Sequence, residues 1–433
     1  MKKLLVLFAL PASLAAQRPA DAGLRPITLQ EAITQAQQNQ PSAVSARNAV
    51  LSSRSAVRTA YAGMLPTLNF SMGQSQSSGP RIGPGGTLIE YVNPWSYSTG
   101  LNTSLTIFDG GTKFNAIAQN RANAISNEAA EVTTRFVISL NVKTAYYAVL
   151  QARESEAAAN AQLVQAREQL KVSEAQVAAG VKTRADSLTS AITVQNAQLA
   201  ILQAQNTLRT QSAVLTRLIG SDVPVTADPA DTLDKPFVVD STMLAQLAGT
   251  GPTVRQQEAT LRSTQIAQRS SKAFYFPQLS LSYGRNGSGF DKYFGIGGGS
   301  LSYSKSLSLS LSYRIFDGLS RENGVVAATI GEQNAEANLR DTRLAQQQSL
   351  VTYLATLNST QEQMRIQQAQ IGLAEENLRV VDQRYKVGAG VLLDVLTAQT
   401  ALNTARFNLI ATRFTYRNTK AQLEQLIGRD LGS

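Results

Sequence analysis

The chain has 433 residues, and the absence of both Cys and His excludes disulfides, thiol nucleophiles, Cys/His zinc sites and imidazole acid–base catalysis. Only 16% of the residues are charged and 43% are hydrophobic, a balance that is too apolar for a disordered chain. The net charge is +10, but Lys and Arg are scattered and form no recognisable binding motif, so no nucleic-acid partner is expected.

Residues 1–16 have the pattern of a secretory signal peptide. A basic start at Lys2 and Lys3 precedes an apolar run over residues 4–10, and small residues follow near Ala15. The cleavage region has no Cys, which excludes a lipid anchor, and no later apolar stretch approaches the length of a membrane-spanning helix. If the mature chain enters a membrane, it must therefore do so as β-strands.

The rest of the chain reads as two copies of one unit, 17–220 and 253–433, joined by a proline-containing linker at 221–252. In each copy two strands joined by a Gly-rich loop precede a very long helix, a glycine turn and a shorter helix. The four elements are predicted at about 66–78, 94–108, 111–178 and 184–219 in the first copy, and at about 277–288, 300–316, 319–386 and 392–427 in the second.

Sequence identities at one constant spacing indicate that the unit is duplicated. Gly180 recurs 208 positions later as Gly388, and Asp186 recurs as Asp394. The same spacing relates two triplets, which we predict to be strand–helix junctions: Phe108, Asp109, Gly110 and Phe316, Asp317, Gly318. Because the register is kept without a gap, the two copies are expected to share one fold.

Each predicted long helix lacks proline and would form a rod of roughly 100 Å. No ordinary globular core is that wide, so the rods must pack along one another as a coiled coil or bundle. Apolar residues spaced by seven support this packing: Leu163, Leu170 and Val177 in the first copy, and Ile371, Leu378 and Tyr385 in the second.

The strand that precedes the second long helix alternates strictly between apolar and hydroxyl-bearing side chains. Odd positions from Leu301 to Ile315 are apolar apart from Lys305, and even positions from Ser302 to Ser312 are all Ser. A soluble sheet with one buried face would also alternate. The nine-residue run from Leu307 to Ile315, with Tyr313 near its end, favours a membrane barrel, with Lys305 in the headgroup region.

Four strands are too few to close a barrel, and open strand edges do not occur in lipid. Two copies of the chain would give eight strands and a lumen filled by side chains. Three copies give twelve strands and a wide lumen, so the sequence favours a homotrimer.

In this pattern the chain resembles the TolC-type outer membrane efflux protein family. Residues Arg384 to Leu396, followed by Gln399, are close to the most recognisable signature of that family. The resemblance implies a fold of α-helices with a membrane β-barrel, built as a duplicated β-β-long helix-short helix unit. It implies a trimer whose twelve-stranded barrel in outer-membrane lipid continues as a helical barrel in the periplasm. The partners implied are a periplasmic adaptor protein and an inner-membrane pump; neither catalysis nor a cofactor is implied.

The resemblance also suggests which residues act at the tips of the helical barrel. Asp394 would line the narrowest part of the pore, with Asp186 as its repeat equivalent, and Tyr385 would hold the closed tip through hydrogen bonds. Asp186 lies three residues after Thr183 and is also expected to cap a helix. Adaptor contact is expected at the hairpin tips, at Gly180, Lys182, Arg184, Gly388 and Gly390. Some family members have a latching Arg at the Gly390 position and a second pore acid at that of Thr397, and neither is present here.

Two other classes of function fit the sequence less well. An exported trimeric coiled-coil fibre or adhesin would account for the signal peptide and the long helices, but not for the duplication or the strands before each rod. An enzyme is disfavoured because no nucleophile–base set, metal-ligand cluster or phosphate loop is present. The glycine-rich segment 295–299 precedes a strand and reads as an exposed loop. The cargo stays open among drugs, metals, proteins and polysaccharide.

Overall fold

The computed structural model describes residues 24–92, 94–228, 241–294 and 301–431. The predicted signal peptide and the glycine-rich segment 295–299 lie outside these ranges. The first copy of the unit contains β1 (Arg25–Ile27), α1 (Leu29–Asn39), α2 (Pro41–Ala62), β2 (Thr67–Ser75), β3 (Ser78–Ile82), β4 (Leu88–Val92), β5 (Trp95–Phe108), α3 (Thr112–Ala178) and α4 (Arg184–Ile219).

A short connecting region separates the two copies. It contains β6 (Val225–Ala227) and α5 (Ser241–Gly249), and residues 229–240 of the predicted linker lie outside the described ranges. The second copy contains α6 (Pro252–Ser271), a single 3₁₀ turn, β7 (Gln278–Asp291), β8 (Ser302–Ser312), α7 (Ser320–Lys386) and α8 (Leu392–Ile427).

The helices of the two copies match in length, as the duplication predicts. Helices α3 and α7 each have 67 residues, and α4 and α8 each have 36. Both shorter helices end at a glycine in the left-handed conformation, Gly220 and Gly428, which closes the helix without steric cost. Two further helices pack beside the long helices: α2 packs on α3, and α6 packs on both α3 and α7.

Helix α3 forms the centre of the protomer, because α2, α4, α6 and α8 all pack against it. About halfway along, Tyr146 is fully buried in the largest apolar cluster. Its hydroxyl donates to the Ile27 carbonyl and accepts from the Asp228 N–H, both at 3.1 Å. These bonds hold the parallel pair β1–β6 against the rod.

Strands β2, β5, β7 and β8 form one antiparallel sheet in that order. Residues that pair directly share a face, so the register sorts the sheet into an apolar face and a polar face. The apolar face is built mainly from Leu68, Phe70, Met72, Leu101, Leu105, Leu279, Leu281, Tyr283, Leu307, Leu309 and Leu311. The residues between them along each strand point to the opposite face, and these are Ser, Thr, Asn, Gln and Gly, apart from Phe290 near the end of β7.

Two parts of the strand region differ from the prediction. The strand predicted over 300–316 ends at Ser312, because Ser312 already pairs with the first residue of β7, and Pro277 before it has no N–H to extend the ladder. Tyr313 therefore lies beyond the strand, where it is exposed. The loop predicted between the first two strands contains the hairpin β3–β4, whose turn holds Gly85 and Gly86 at positive φ.

Across the described ranges, no helix combines the length and the apolar run that a bilayer crossing requires.

Candidate functional site

The ends of the two helical hairpins, α3–α4 and α7–α8, form the candidate site. Gly180 and Gly388 lie at their turns with φ of 72° and 81°, a conformation that favours glycine. The backbone closes in the same way in both turns. The Val181 N–H donates to the Gln176 carbonyl at 2.9 Å, and the Ala389 N–H donates to the Arg384 carbonyl at 2.9 Å.

At the first turn, Asp186 works as a helix cap. Helix α4 begins after Thr183, and the Thr183 N–H donates to Asp186 Oδ2 at 3.2 Å. The carboxylate lies in the first turn, where it also gains from the partial positive charge of the helix N-terminus. Asp186 is half-buried and its carboxylate is engaged with its own backbone.

At the second turn, the equivalent acid does not cap its helix. Helix α8 begins after Val391, which has no side chain that can cap it. Asp394 is exposed, and among the described residues its carboxylate has no hydrogen bond or ion pair. Leu393 and Thr397 are exposed beside it. This helix surface is therefore open to whatever lies outside the protomer.

Tyr385 lies between the two hairpins and not at a surface. Its side chain is 0% exposed and packs against Leu392 and Val395. Its hydroxyl lies 3.2 Å from Ser173 Oγ, which is 2.9 Å from Ser190 Oγ. The ring is therefore enclosed within the protomer, and its hydrogen bonds join the second copy to the first. The expectation that Tyr385 holds the closed tip of the duct through hydrogen bonds stays a prediction.

Lys182 makes a second connection between the hairpins. Its Nζ donates to the Gly390 carbonyl at 2.7 Å and lies 5.2 Å from the centroid of the Tyr385 ring. Gln176 adds a third connection by donating to the Tyr385 carbonyl at 2.9 Å. The ammonium of Lys182, predicted to contact an adaptor, is thus directed to the neighbouring hairpin.

Arg184 and Gly390, both predicted to contact an adaptor, differ in their exposure. The Arg184 side chain is exposed at the start of α4, without an ion pair among the described residues. Gly390 is enclosed by its own turn, because a Cβ there would lie 3.0 Å from the Tyr385 nitrogen and 3.2 Å from Arg384 Cβ. A larger residue would therefore displace this turn.

Above the tips, a groove of about 410 Å³ runs between the hairpins. It is lined by α3, α7 and α8 and is mostly polar. Its charged side chains are largely paired within α7 and α8, with Lys386–Asp382 at 2.6 Å and Arg406–Glu375 at 2.7 Å. The positive charges of Lys386 and Arg406 are thus largely neutralised by neighbouring carboxylates.

The two Phe-Asp-Gly triplets lie where a strand turns into a long helix. Asp109 caps α3 by accepting from the N–H groups of Gly111 and Lys113 at 3.2 and 3.0 Å. A Cβ on Gly110 would lie 2.3 Å from the Ala273 carbonyl oxygen, so this close approach requires glycine. In the second copy, Asp317 forms a 3.0 Å ion pair with Arg321 of α7. Phe108, Phe316 and Gly318 complete these corners, and both aromatic rings are exposed.

Several connecting residues were not predicted from the sequence. Ser173 occupies a buried position of the seven-residue repeat, three residues after Leu170 and four before Val177. A hydroxyl at such a position is the signal that could have revealed the Tyr385 contact. A second contact that was not predicted is an ion cluster halfway along α3. Lys143 of α3 contacts Glu424 at 2.6 Å and Asp430 at 2.8 Å. No local sequence pattern connects these three residues.

The chain is similar to known outer-membrane proteins along most of its length. A family model described as outer membrane efflux protein matches residues 32–221 and 244–429. The pyoverdine export outer membrane protein OpmQ of Pseudomonas aeruginosa is 27% identical over 392 residues, which cover 85% of this chain and 78% of that protein. Protein CyaE of Bordetella pertussis is 25% identical over 308 residues, or 69% of this chain and 64% of that protein. The crystal structure of VceC from Vibrio cholerae superposes with a TM-score of 0.75 at 18% identity, covering 93% of this chain and 97% of VceC.

Proposed function

Since the chain belongs to the outer membrane efflux protein family, we propose that three copies form a passive exit duct of an efflux or type I secretion assembly. The family consists of trimeric outer-membrane channels that work with adaptor and pump partners. In this chain the strands cross the outer membrane and the helices extend into the periplasm. The hairpin tips meet the adaptor, and the inner-membrane pump supplies the energy.

The observation that carries this proposal is the division of the sheet into two faces. Large apolar side chains of all four strands share one face, and a face of this kind is stable against lipid. The opposite face is lined by small hydroxyl and amide side chains and glycines, which suits a water-filled lumen. The same four strands would have no apolar core to cover them in a water-soluble protomer.

The edges of the sheet account for the trimer. Strands β2 and β8 are the two outer strands, and each has only one partner within the protomer. Unpaired backbone groups are costly in lipid. Because neighbouring strands in this sheet alternate in direction, β8 of one protomer can pair antiparallel with β2 of the next. Three protomers close twelve strands in this way.

Extraction and conductance test this function. The protein should stay in the membrane fraction in high salt, dissolve in detergent, run on gels as a trimer that dissociates on heating, and conduct in planar bilayers. Release by salt alone, as expected for an exported fibre, would contradict the proposal. A stable monomer that never conducts would contradict it as well.

Within this duct, Asp394 is proposed to form a ring of three carboxylates at the periplasmic end. Its support is the exposed carboxylate on the α8 surface, which is unpaired within the part of the chain that the structure describes. A ring of carboxylates favours cations over anions. Asp186 is proposed to contribute less, because its carboxylate accepts from its own helix N-terminus.

Single-channel selectivity tests this ring. Asp394→Asn should lower the preference for K⁺ over Cl⁻ measured from reversal potentials in a salt gradient. Asp186→Asn removes the same charge from the equivalent place in the first copy and is the matched control. No effect of Asp394→Asn would remove Asp394 from the pore, and equal effects of the two substitutions would contradict the smaller contribution proposed for Asp186.

A further inference from the structure

The four strands of the main sheet contain only three charged residues, and two of them form a pair on the apolar face. Arg285 of β7 is directly opposite Lys305 of β8 in the strand register. The third, Asp291, is the last residue of β7. Both cations are exposed and share their face with Leu307, Leu309 and Leu311. In the proposed function this face contacts lipid.

The position of the pair along the strands places it in the outer leaflet. The helices all join the sheet at one end, where β5 ends at Phe108 and β8 ends at Ser312. Lys305 lies near the opposite end, only three residues after β8 begins at Ser302. Six positions separate it from Leu311, which is about 20 Å along the strand. The pair therefore lies where the apolar band gives way to headgroups.

Two like charges directly opposite one another on adjacent strands destabilise a sheet. Among the described side chains neither cation has an ion-pair partner. The Arg285 guanidinium lies over the ring of Tyr303, with 4.6 Å between its central carbon and the ring centroid. An anion seated between the two cations would turn the repulsion into attraction.

A glycine on the neighbouring strand leaves room for the Tyr303 ring. Tyr303 is opposite Gly287 in the register. A Cβ on Gly287 would lie 2.7 Å from Tyr303 Cε1 and 3.0 Å from Cδ1, so the ring lies directly over the glycine. With its guanidinium stacked on an aromatic ring, the Arg285 fork is pre-organised for a planar, bidentate contact.

We propose that Arg285, Lys305 and Tyr303 form a binding site for the phosphate groups of the anionic glycolipid headgroup in the outer leaflet. Arg285 contributes a bidentate contact and Lys305 a point charge, and both are suited to phosphate oxygens. Trimer symmetry gives three such sites around the barrel. This inference rests on the proposed function, since it requires the apolar face to lie in the outer membrane.

Native mass spectrometry of the detergent-purified trimer tests the site, with diphosphorylated lipid A as the probe. The wild-type trimer should retain up to three lipid molecules. Arg285→Gln with Lys305→Gln should bind at least about tenfold more weakly, because two charge-assisted contacts are lost. The matched control is Arg167→Gln with Lys171→Gln, which removes the same two residue types from an exposed face of α3 and should bind as wild type does.

A second variant and three further probes define the ligand. Gly287→Ala keeps both cations but displaces Tyr303, and it should weaken binding by an intermediate factor. Lipid A without its phosphates should lose most of its affinity, and neither inorganic phosphate nor phosphatidylglycerol should compete at equal concentration. Equal binding by the double variant, or by dephosphorylated lipid A, would overturn the proposal, as would full competition by free phosphate.

Conductance measurements distinguish failure of the lipid-site proposal from failure of the duct proposal. If the duct proposal fails, the wild-type protein forms no channel. If only the lipid site fails, wild type and double variant both form trimeric channels and bind the glycolipid equally.

Discussion

The two hairpins have the same backbone but different side chains at the positions where they meet. Helix lengths and glycine turns are the same in both copies. Tyr385 of the second copy corresponds to Val177 of the first, and Lys182 of the first corresponds to Gly390 of the second. Each of these differences contributes to a contact between the copies. A duplicated unit that kept identical side chains could not make such asymmetric contacts.

The buried ion cluster halfway along the rod sharpens this comparison. Lys143 of α3 corresponds to Val351 of α7, which is 68% exposed, whereas the Lys143 side chain is 9% exposed. Its partner Glu424 is equally buried and belongs to the second copy. The first copy thus supplies the cation and the second copy the anion.

The largest effect is expected from Lys143→Met, which leaves the Glu424 carboxylate buried without its cation. We expect a loss of about 3–5 kcal/mol in the free energy of unfolding. Guanidinium denaturation of the detergent-solubilised trimer measures it. Val351→Met, at the equivalent exposed position, is the control and should change stability by less than about 0.5 kcal/mol. Equal stability of the two variants would show that the cluster does not join the copies.

The same cluster predicts a pH dependence. Burial alone lowers the pKa of Lys143, but the nearby carboxylates of Glu424 and Asp430 outweigh it, and the net pKa lies above its usual value. The stabilisation is therefore complete below about pH 10.4, the usual lysine pKa, and is lost as the pH rises through the higher folded value. Thermal unfolding scans between pH 8 and 12 should show an alkaline loss in wild type that is much smaller in Lys143→Met.

A comparably large effect is expected when the contact at the tip is removed. Tyr385→Ala should cost about 3–5 kcal/mol, because it empties a fully buried site. Tyr385→Phe removes only the hydroxyl and should cost about 1 kcal/mol. Val177→Ala, at the equivalent position of the first copy, is half-buried and should cost less than Tyr385→Ala. If both alanine variants were equally destabilised, the hairpins would be energetically alike.

A smaller effect is expected for Lys182→Met. The substitution removes a charged hydrogen bond to the Gly390 carbonyl, worth about 1.5–3 kcal/mol at most. Because this bond ties one tip to the other, limited proteolysis should cleave the turn at 387–391 faster in this variant. Arg184→Met, which removes a nearby exposed cation, should leave the cleavage rate unchanged. Equal rates for both variants would contradict the tie.

The smallest expected effect is a difference in stability between variants of the two equivalent acids, Asp186 and Asp394. Asp186→Asn weakens a helix cap and should lower stability by about 1 kcal/mol. Asp394→Asn removes an unpaired, exposed charge from the first turn of α8 and should lower it by less than about 0.5 kcal/mol. Thermal unfolding of the two variants side by side measures the difference. A larger loss for Asp394→Asn would mean that its carboxylate has a structural partner.

The predicted order of elements in each copy and the predicted family are confirmed. Both could be predicted because they depend on local sequence signals. Glycines, prolines and seven-residue spacing mark the helices, and strict Ser–Leu alternation marks β8. The contacts between copies could not be predicted, since Lys143 and Glu424 are 281 positions apart and neither has an unusual neighbourhood. The signature around Tyr385 suggests hydrogen bonds at the tip but does not identify the partner, Ser173 of the first copy. The end of β8 depended on where β7 begins, which is also a long-range property.

The polar face of the sheet has a consequence for transit. Along β8 every residue of this face is Ser, whose side chain extends little beyond the backbone, so this strand narrows the bore through the membrane very little. Hydroxyl groups offer a passing solute neither a counter-ion nor an adhesive apolar surface. Movement through this segment should thus resemble free diffusion in water, with a flux proportional to the concentration difference and little selection by charge.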